Sequence, residues 1–152
     1  MGVLRSDYEG QTCSIARALE LVGERWTILI LRDAFLGRRR FDEFQESLGI
    51  ARNVLTKRLT TLVQAGIMER HPYQEHPERF EYRLTEAGRE LFPIVVSLLH
   101  WGDRWTAGEA GPPLLLVHEP CGQPAGAMLV CSHCGEEITL DNVHPRLGPG
   151  AA

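Results

Sequence analysis

The sequence predicts an α+β chain that is mainly helical, with a single β-hairpin set between helices and a small strand-rich extension at its C-terminal end. Three observations carry this. Apolar residues recur at helical spacing from Ile15 to Leu62, and the period drops to two between Ile67 and Leu84. A cluster of breakers, Gly108, Gly111, Pro112 and Pro113, then sets the C-terminal segment apart. At 152 residues the chain can bury one sizeable core and a small appendage. The expected division is residues 1–107 and 114–152.

Taken in order, Ile15, Leu19, Val22, Trp26, Leu29, Ile30 and Leu31 keep a helical period that Gly23 interrupts, giving one long helix or two joined there. The next helix fits Phe41 to Leu48, with Phe41, Phe44 and Leu48 on one face and Asp42 and Glu43 near its positive N-terminal end. Leu48-Gly49-Ile50 turns the chain into a third helix, Arg52 to Gln64, which buries Leu55, Leu59 and Leu62. Gly66 stops it where a left-handed residue is expected. Ile67, Glu69 and His71 then alternate with Met68 and Arg70, and Phe80, Tyr82 and Leu84 alternate with Glu81 and Arg83. Between them lies a polar tip containing proline, Gln74 to Arg79, so the segment reads as a hairpin. Thr85 is a good N-cap for a last helix running to about Trp105, which Pro93 should kink or break. In the extension, Leu114 to His118 and Met128 to Cys131 read as short strands, and no internal repeat is evident.

A net charge of −4 argues against a nucleic-acid partner, but its distribution reverses that impression. Residues 36–60 hold six basic side chains, Arg38, Arg39, Arg40, Arg52, Lys57 and Arg58, against three acidic ones, a local balance of +3. Residues 109–152 carry five acidic side chains against Arg146, a balance of −4. No run approaches the roughly 20 apolar residues of a membrane span, and the N-terminus lacks the apolar core of a secretion signal. A soluble, cytoplasmic protein is therefore expected.

A short helix, a tight turn, a second helix and a two-stranded hairpin make a winged helix-turn-helix. With Leu55, Leu59 and Leu62 turned to the core, Arg52, Asn53, Thr56, Lys57 and Thr60 face outward. Arg reads guanine edges, Asn reads adenine, and Thr and Lys reach edges or phosphates in the major groove. Any amphipathic helix has a polar outer face, so that face alone decides little. The hairpin tip with His76 and Arg79, and the Arg38, Arg39, Arg40 cluster before the second helix, turn the reading toward double-stranded DNA.

Several motifs in order resemble the HxlR family of bacterial regulators, relatives of the MarR type. They are Gly23-x-Arg25-Trp26-Thr27, Leu31-Arg32, Gly37, Arg40-Phe41-x-Glu43-Phe44, Leu48-Gly49-Ile50, Leu55-Thr56-x-Arg58-Leu59, Gly66-Ile67, Phe80-Glu81-Tyr82-x-Leu84-Thr85-x-x-Gly88 and Trp101-Gly102. The resemblance covers about Cys13 to Trp105. It implies a homodimer built from the first helix and residues 86–105, recognition by the helix at 52–64, and minor-groove or phosphate contact by a wing at 74–79. The expected function is a transcription regulator, acting as a repressor on palindromic operator DNA. Family members usually carry Ser where this chain has Ala51, which cannot cap the recognition helix. Cys13 stands where many members carry cysteine, and in some it is a redox switch. A helix N-terminus would favour its thiolate, whereas a small buried hydrophobe at the dimer interface is the plainer reading.

Four cysteines in a chain without a leader point to metal or redox chemistry before disulfides. His118-x-x-Cys121-Gly122 and Cys131-x-x-Cys134-Gly135, with nine residues between Cys121 and Cys131, have the arrangement of a zinc ribbon holding one structural Zn²⁺. His133 or His144 could replace His118 as the fourth ligand, and a metal-free extension with free thiols is the competing reading. An enzyme is disfavoured, since no nucleophile elbow, phosphate loop or dinucleotide fingerprint is present. A winged helix that binds protein would not need the outward Arg and Lys. Trp26, Trp101 and Trp105 could line a small-molecule effector pocket, although packing is their commoner use.

Overall fold

The computed structural model describes residues 13–151. Within them the chain forms two compact units that divide at Val95 and Val96. The first begins with α1 (Ser14–Val22) and α2 (Arg25–Phe35), two helices in place of one. Gly23 makes the joint, because a Cβ there would collide with the Leu19 carbonyl oxygen, to which the Gly23 N–H donates at 2.7 Å. Glu24 caps α2 by accepting the Trp26 N–H at 3.0 Å. The same carboxylate lies 3.5 Å from the guanidinium of Arg58.

Helices α3 (Phe41–Leu48) and α4 (Arg52–Gln64) begin and end where the sequence places them. The Glu43 carboxylate accepts the N–H groups of Arg39 (2.8 Å) and Arg40 (2.9 Å), satisfying donors that the start of α3 leaves free. Those bonds hold its pKa below the ordinary glutamate value. Gly49 and Gly66 supply the positive φ angles, 60° and 70°, that end the two helices. Val22, Ile30, Leu31, Phe44, Ile50, Leu55, Leu59, Leu62, Ile67 and Met68 form the buried core. Each large member contributes about 1.5–3 kcal/mol by leaving water. Ile15 and Leu19 lie outside this core, 71% and 40% exposed, so of the apolar stripe of α1 only its end at Val22 is buried.

Strands β1 (Met68–Glu75) and β2 (Glu78–Leu84) pair antiparallel from Met68↔Leu84 to Glu75↔Glu78, with an irregularity between Pro72 and Gln74. The tip is therefore only His76 and Pro77, and the remainder of the expected polar loop is strand. Polar side chains on both faces hid this, since the ladder needs no apolar residues to continue. Thr85 Oγ1 accepts the Gly88 N–H at 3.2 Å and donates to the Gly66 carbonyl at 2.6 Å, so one hydroxyl caps α5 (Glu86–Arg89) and ties it to the end of α4. The expected break falls before α6 (Phe92–Thr106), with Pro93 in its first turn, where a missing N–H costs nothing.

The second unit holds the C-terminal part of α6 and the extension. None of its described residues is buried. The expected strands shrink to β3 (Val117–His118) pairing with β4 (Gln123–Pro124), plus one bridge, Val130↔Glu137. Leu114, Leu115, Met128 and Leu129 are outside any strand and exposed, because no second layer gives them a face to pack against. The unit does contain a short repeat that the sequence alone did not reveal. Val117↔Pro124 and Val130↔Glu137 are the same pairing displaced by 13 residues.

Candidate nucleic-acid interface

Burial of Leu55, Leu59 and Leu62 fixes the rotation of α4 about its axis, and Arg52, Asn53, Thr56, Lys57 and Thr60 are exposed on its other side. The N-cap residue, Ala51, has extended geometry and no side-chain bond to the helix, as expected of alanine. Thr56 donates to the Arg52 carbonyl at 2.8 Å, which fixes its hydroxyl on the helix. The Arg52 guanidinium lies over the Phe41 ring, 4.8 Å from its centroid.

A cleft of about 410 Å³ runs between α3, the start of α4 and the wing, lined among others by Phe41, Asp42, Arg52, Tyr73, Arg79 and Tyr82. It brings Arg52 and Arg79 to one surface. His76 is exposed at the wing tip. Glu75 and Glu78 oppose each other beside it, so Arg79 is the cation that the tip at 74–79 offers against two carboxylates.

The three arginines before α3 are not equivalent. Arg39 is exposed and its carbonyl accepts the Tyr82 N–H at 2.7 Å. Arg40 stacks on Tyr73, 4.4 Å from the ring centroid, and lies 3.7 Å from Glu81. Arg38 approaches the buried carboxylate of Asp33 at 3.8 Å. Arg32 donates to the same carboxylate oxygen through Nε and Nη2, at 2.9 and 2.8 Å. Two of the arginines thus also hold the fold. Tyr73 and Asp33, which position them, escaped the sequence reading. The one available signal was an aromatic residue, Tyr73, at the edge of an otherwise polar tip.

Cys13 is the exposed N-cap residue of α1. The N–H groups of Ala16 and then Ile15 lower its thiol pKa. In the extension, His118 Nδ1 and Cys121 Sγ are 3.3 Å apart. Cys131 is lowered by the N–H groups of Cys134 and His133 and by the Cys134 side chain. Among the described residues, no three His, Cys, Asp or Glu side chains gather into one metal-holding group, so the sulfur and nitrogen donors stand as two pairs. Trp26, Trp101 and Trp105 are not among the residues lining the 410 Å³ cleft. No helix among the described residues is long and apolar enough to cross a membrane.

The family model of the HxlR-like helix-turn-helix matches residues 21–110. An uncharacterized HTH-type transcriptional regulator of Mycobacterium tuberculosis is 55% identical over 94% of this chain and 89% of its own length. The crystal structure of PA1607 superposes with a TM-score of 0.81 at 38% identity, over 90% of this chain and 96% of that one. The redox regulator HypR in its reduced form gives 0.57 at 33% identity, over 60% of this chain and 92% of its own.

Proposed function

Because the chain belongs to the HxlR-like helix-turn-helix family and is a DNA-binding transcriptional regulator, we propose that it grips a palindromic operator as a homodimer, with α4 in the major groove. The wing, residues 74–79, lies on the adjacent minor groove or phosphates, and binding blocks transcription. The observation that carries this reading is the exposed row Arg52, Asn53, Thr56 and Lys57 on a helix whose opposite side is locked into the core. The exposed Leu98, Trp101 and Trp105 of α6, together with Ile15 and Leu19 of α1, are the surfaces assigned to the second protomer.

The test uses a duplex selected from a randomised library, with a random-sequence duplex as control. Replacing Arg52 and Lys57 by Ala should weaken the selected duplex at least about tenfold and flatten the salt dependence by about one unit per lost phosphate contact. Unchanged affinity and slope would remove α4 from the interface. Sedimentation of Trp101→Glu against the parent protein tests the dimer, which should dissociate at micromolar concentration.

A second reading rests on Cys13. Its exposed, acidified thiol at a helix N-terminus suits oxidation by hydrogen peroxide, the thiolate sulfur taking one peroxide oxygen to become the sulfenic acid and the other oxygen leaving as water. The redox regulator HypR is similar to 60% of this chain. Peroxide should then lower DNA affinity of the parent protein and leave Cys13→Ser unaffected. A Cys13→Ser protein that still released DNA would exclude Cys13 as the sensor.

A further inference from the structure

The extension presents a physical problem. From Ala107 to Ala151 no residue is buried, and Met128, Leu129, Leu140 and Leu147 are 67–91% exposed. So small a segment without a core ordinarily needs a covalent or metal staple. All three of its cysteines are free.

Its two hairpins supply the answer in their repeat. Val117-His118-Glu119-Pro120-Cys121-Gly122 and Val130-Cys131-Ser132-His133-Cys134-Gly135 align at a 13-residue offset, with His118 matching Cys131 and Cys121 matching Cys134. The two loops close in the same way. Gly122 N–H donates to the His118 carbonyl and Gly135 N–H to the Cys131 carbonyl, each at 2.8 Å. Both glycines have positive φ, 67° and 77°. The residue before each loop pairs with the residue two beyond its glycine, Val117 with Pro124 and Val130 with Glu137. In the first loop the turn already brings Nδ1 of His118 within 3.3 Å of Cys121 Sγ. Two equal loops, each presenting two soft donors, supply the number and kind of ligands that a tetrahedral Cys3His site takes, and they stand here as two separate pairs.

We propose that each chain holds one structural Zn²⁺ through His118, Cys121, Cys131 and Cys134, the ion joining the two donor pairs. His133 and His144 are excluded from this set, because His133 lies inside the second loop, at the place Pro120 occupies in the first, and His144 lies outside both repeats. The ion orders the extension and leaves the helix-turn-helix to fold on its own core.

The full chain, purified under reducing conditions and supplied with zinc alone, should retain about one zinc per chain after gel filtration, measured by mass spectrometry of the metal. Cys131→Ser and Cys134→Ser should retain none, with unchanged helical circular dichroism. Cobalt in place of zinc should give the absorption of a tetrahedral thiolate site, lost in His118→Ala and regained in His118→Cys. Limited proteolysis should cut the zinc-free extension before the remainder of the chain. A reduced full chain that binds no zinc overturns the site, as does zinc retained by Cys131→Ser. Metal lost in His133→Ala or His144→Ala but kept in His118→Ala overturns the ligand assignment, and a ratio of one ion per two chains overturns the single-chain site.

Discussion

The guanidinium of Arg40 lies 4.4 Å from the centroid of the Tyr73 ring, and it links the residue that opens α3 to the strand that opens the wing. Arg40 also lies 3.7 Å from Glu81 on the partner strand, so the wing is held on both of its strands by one side chain. An exposed cation–π contact is worth about 0.5–1 kcal/mol. Tyr73→Leu should therefore weaken operator binding by about two- to fivefold by loosening the wing. Tyr73→Phe keeps the ring and should bind as the parent does. Equal affinity of all three proteins would show that the contact does not set wing position.

Ala51 occupies the N-cap of α4 with φ −61° and ψ 139°, a geometry a capping side chain also adopts, yet it offers no acceptor. Ala51→Ser should raise stability by about 1 kcal/mol in urea unfolding, with an unchanged slope. No gain would mean that water or another group already satisfies the free N–H groups.

Gly88 is buried in α5, and a Cβ there would collide with the Ile67 carbonyl oxygen and press on Leu84. The obstacle is backbone, so relaxation requires moving α5 away from the end of α4. Gly88→Ala should destabilise by about 1–3 kcal/mol, despite alanine being the better helix former. A stabilised Gly88→Ala variant would contradict the close approach.

Glu43 has a carboxyl pKa lowered first by the Arg39 N–H and then by the Arg40 N–H. A group acidified by folding stabilises above its unfolded pKa, near 4.5, and that stabilisation disappears as pH falls through the lower folded value. The melting temperature of the parent should exceed that of Glu43→Gln at neutral pH, and the gap should close on acidification below about pH 4. A gap independent of pH would mean that the carboxylate charge contributes nothing to the start of α3.

Much of the first unit was legible because its punctuation is chemical. Gly23, Gly49 and Gly66 each mark a conformation or close approach that other residues resist, and the leucines at 55, 59 and 62 fix one face of α4. The wing was legible as a hairpin but not in extent, since strands with polar residues on both faces carry no period to count. The roles of Arg38 and Arg40 in the fold were hidden because they depend on Asp33 and Tyr73, five residues before and 33 after them in sequence. The repeat of the extension was hidden for another reason. It spans few residues, and its first ligand changes from His118 to Cys131 between copies.

The contact between Glu24 and Arg58 joins the cap of α2 to the middle of α4. Arg58 is mostly withdrawn from solvent, with 20% of its side chain exposed, and its Nε has no hydrogen-bond partner among the described residues. A shift of α2 relative to α4 would part the Glu24 carboxylate from a guanidinium that is mostly withdrawn from water. Parting the pair is costly, so the orientation of α2 is coupled to that of α4, the helix that exposes Arg52, Asn53, Thr56 and Lys57.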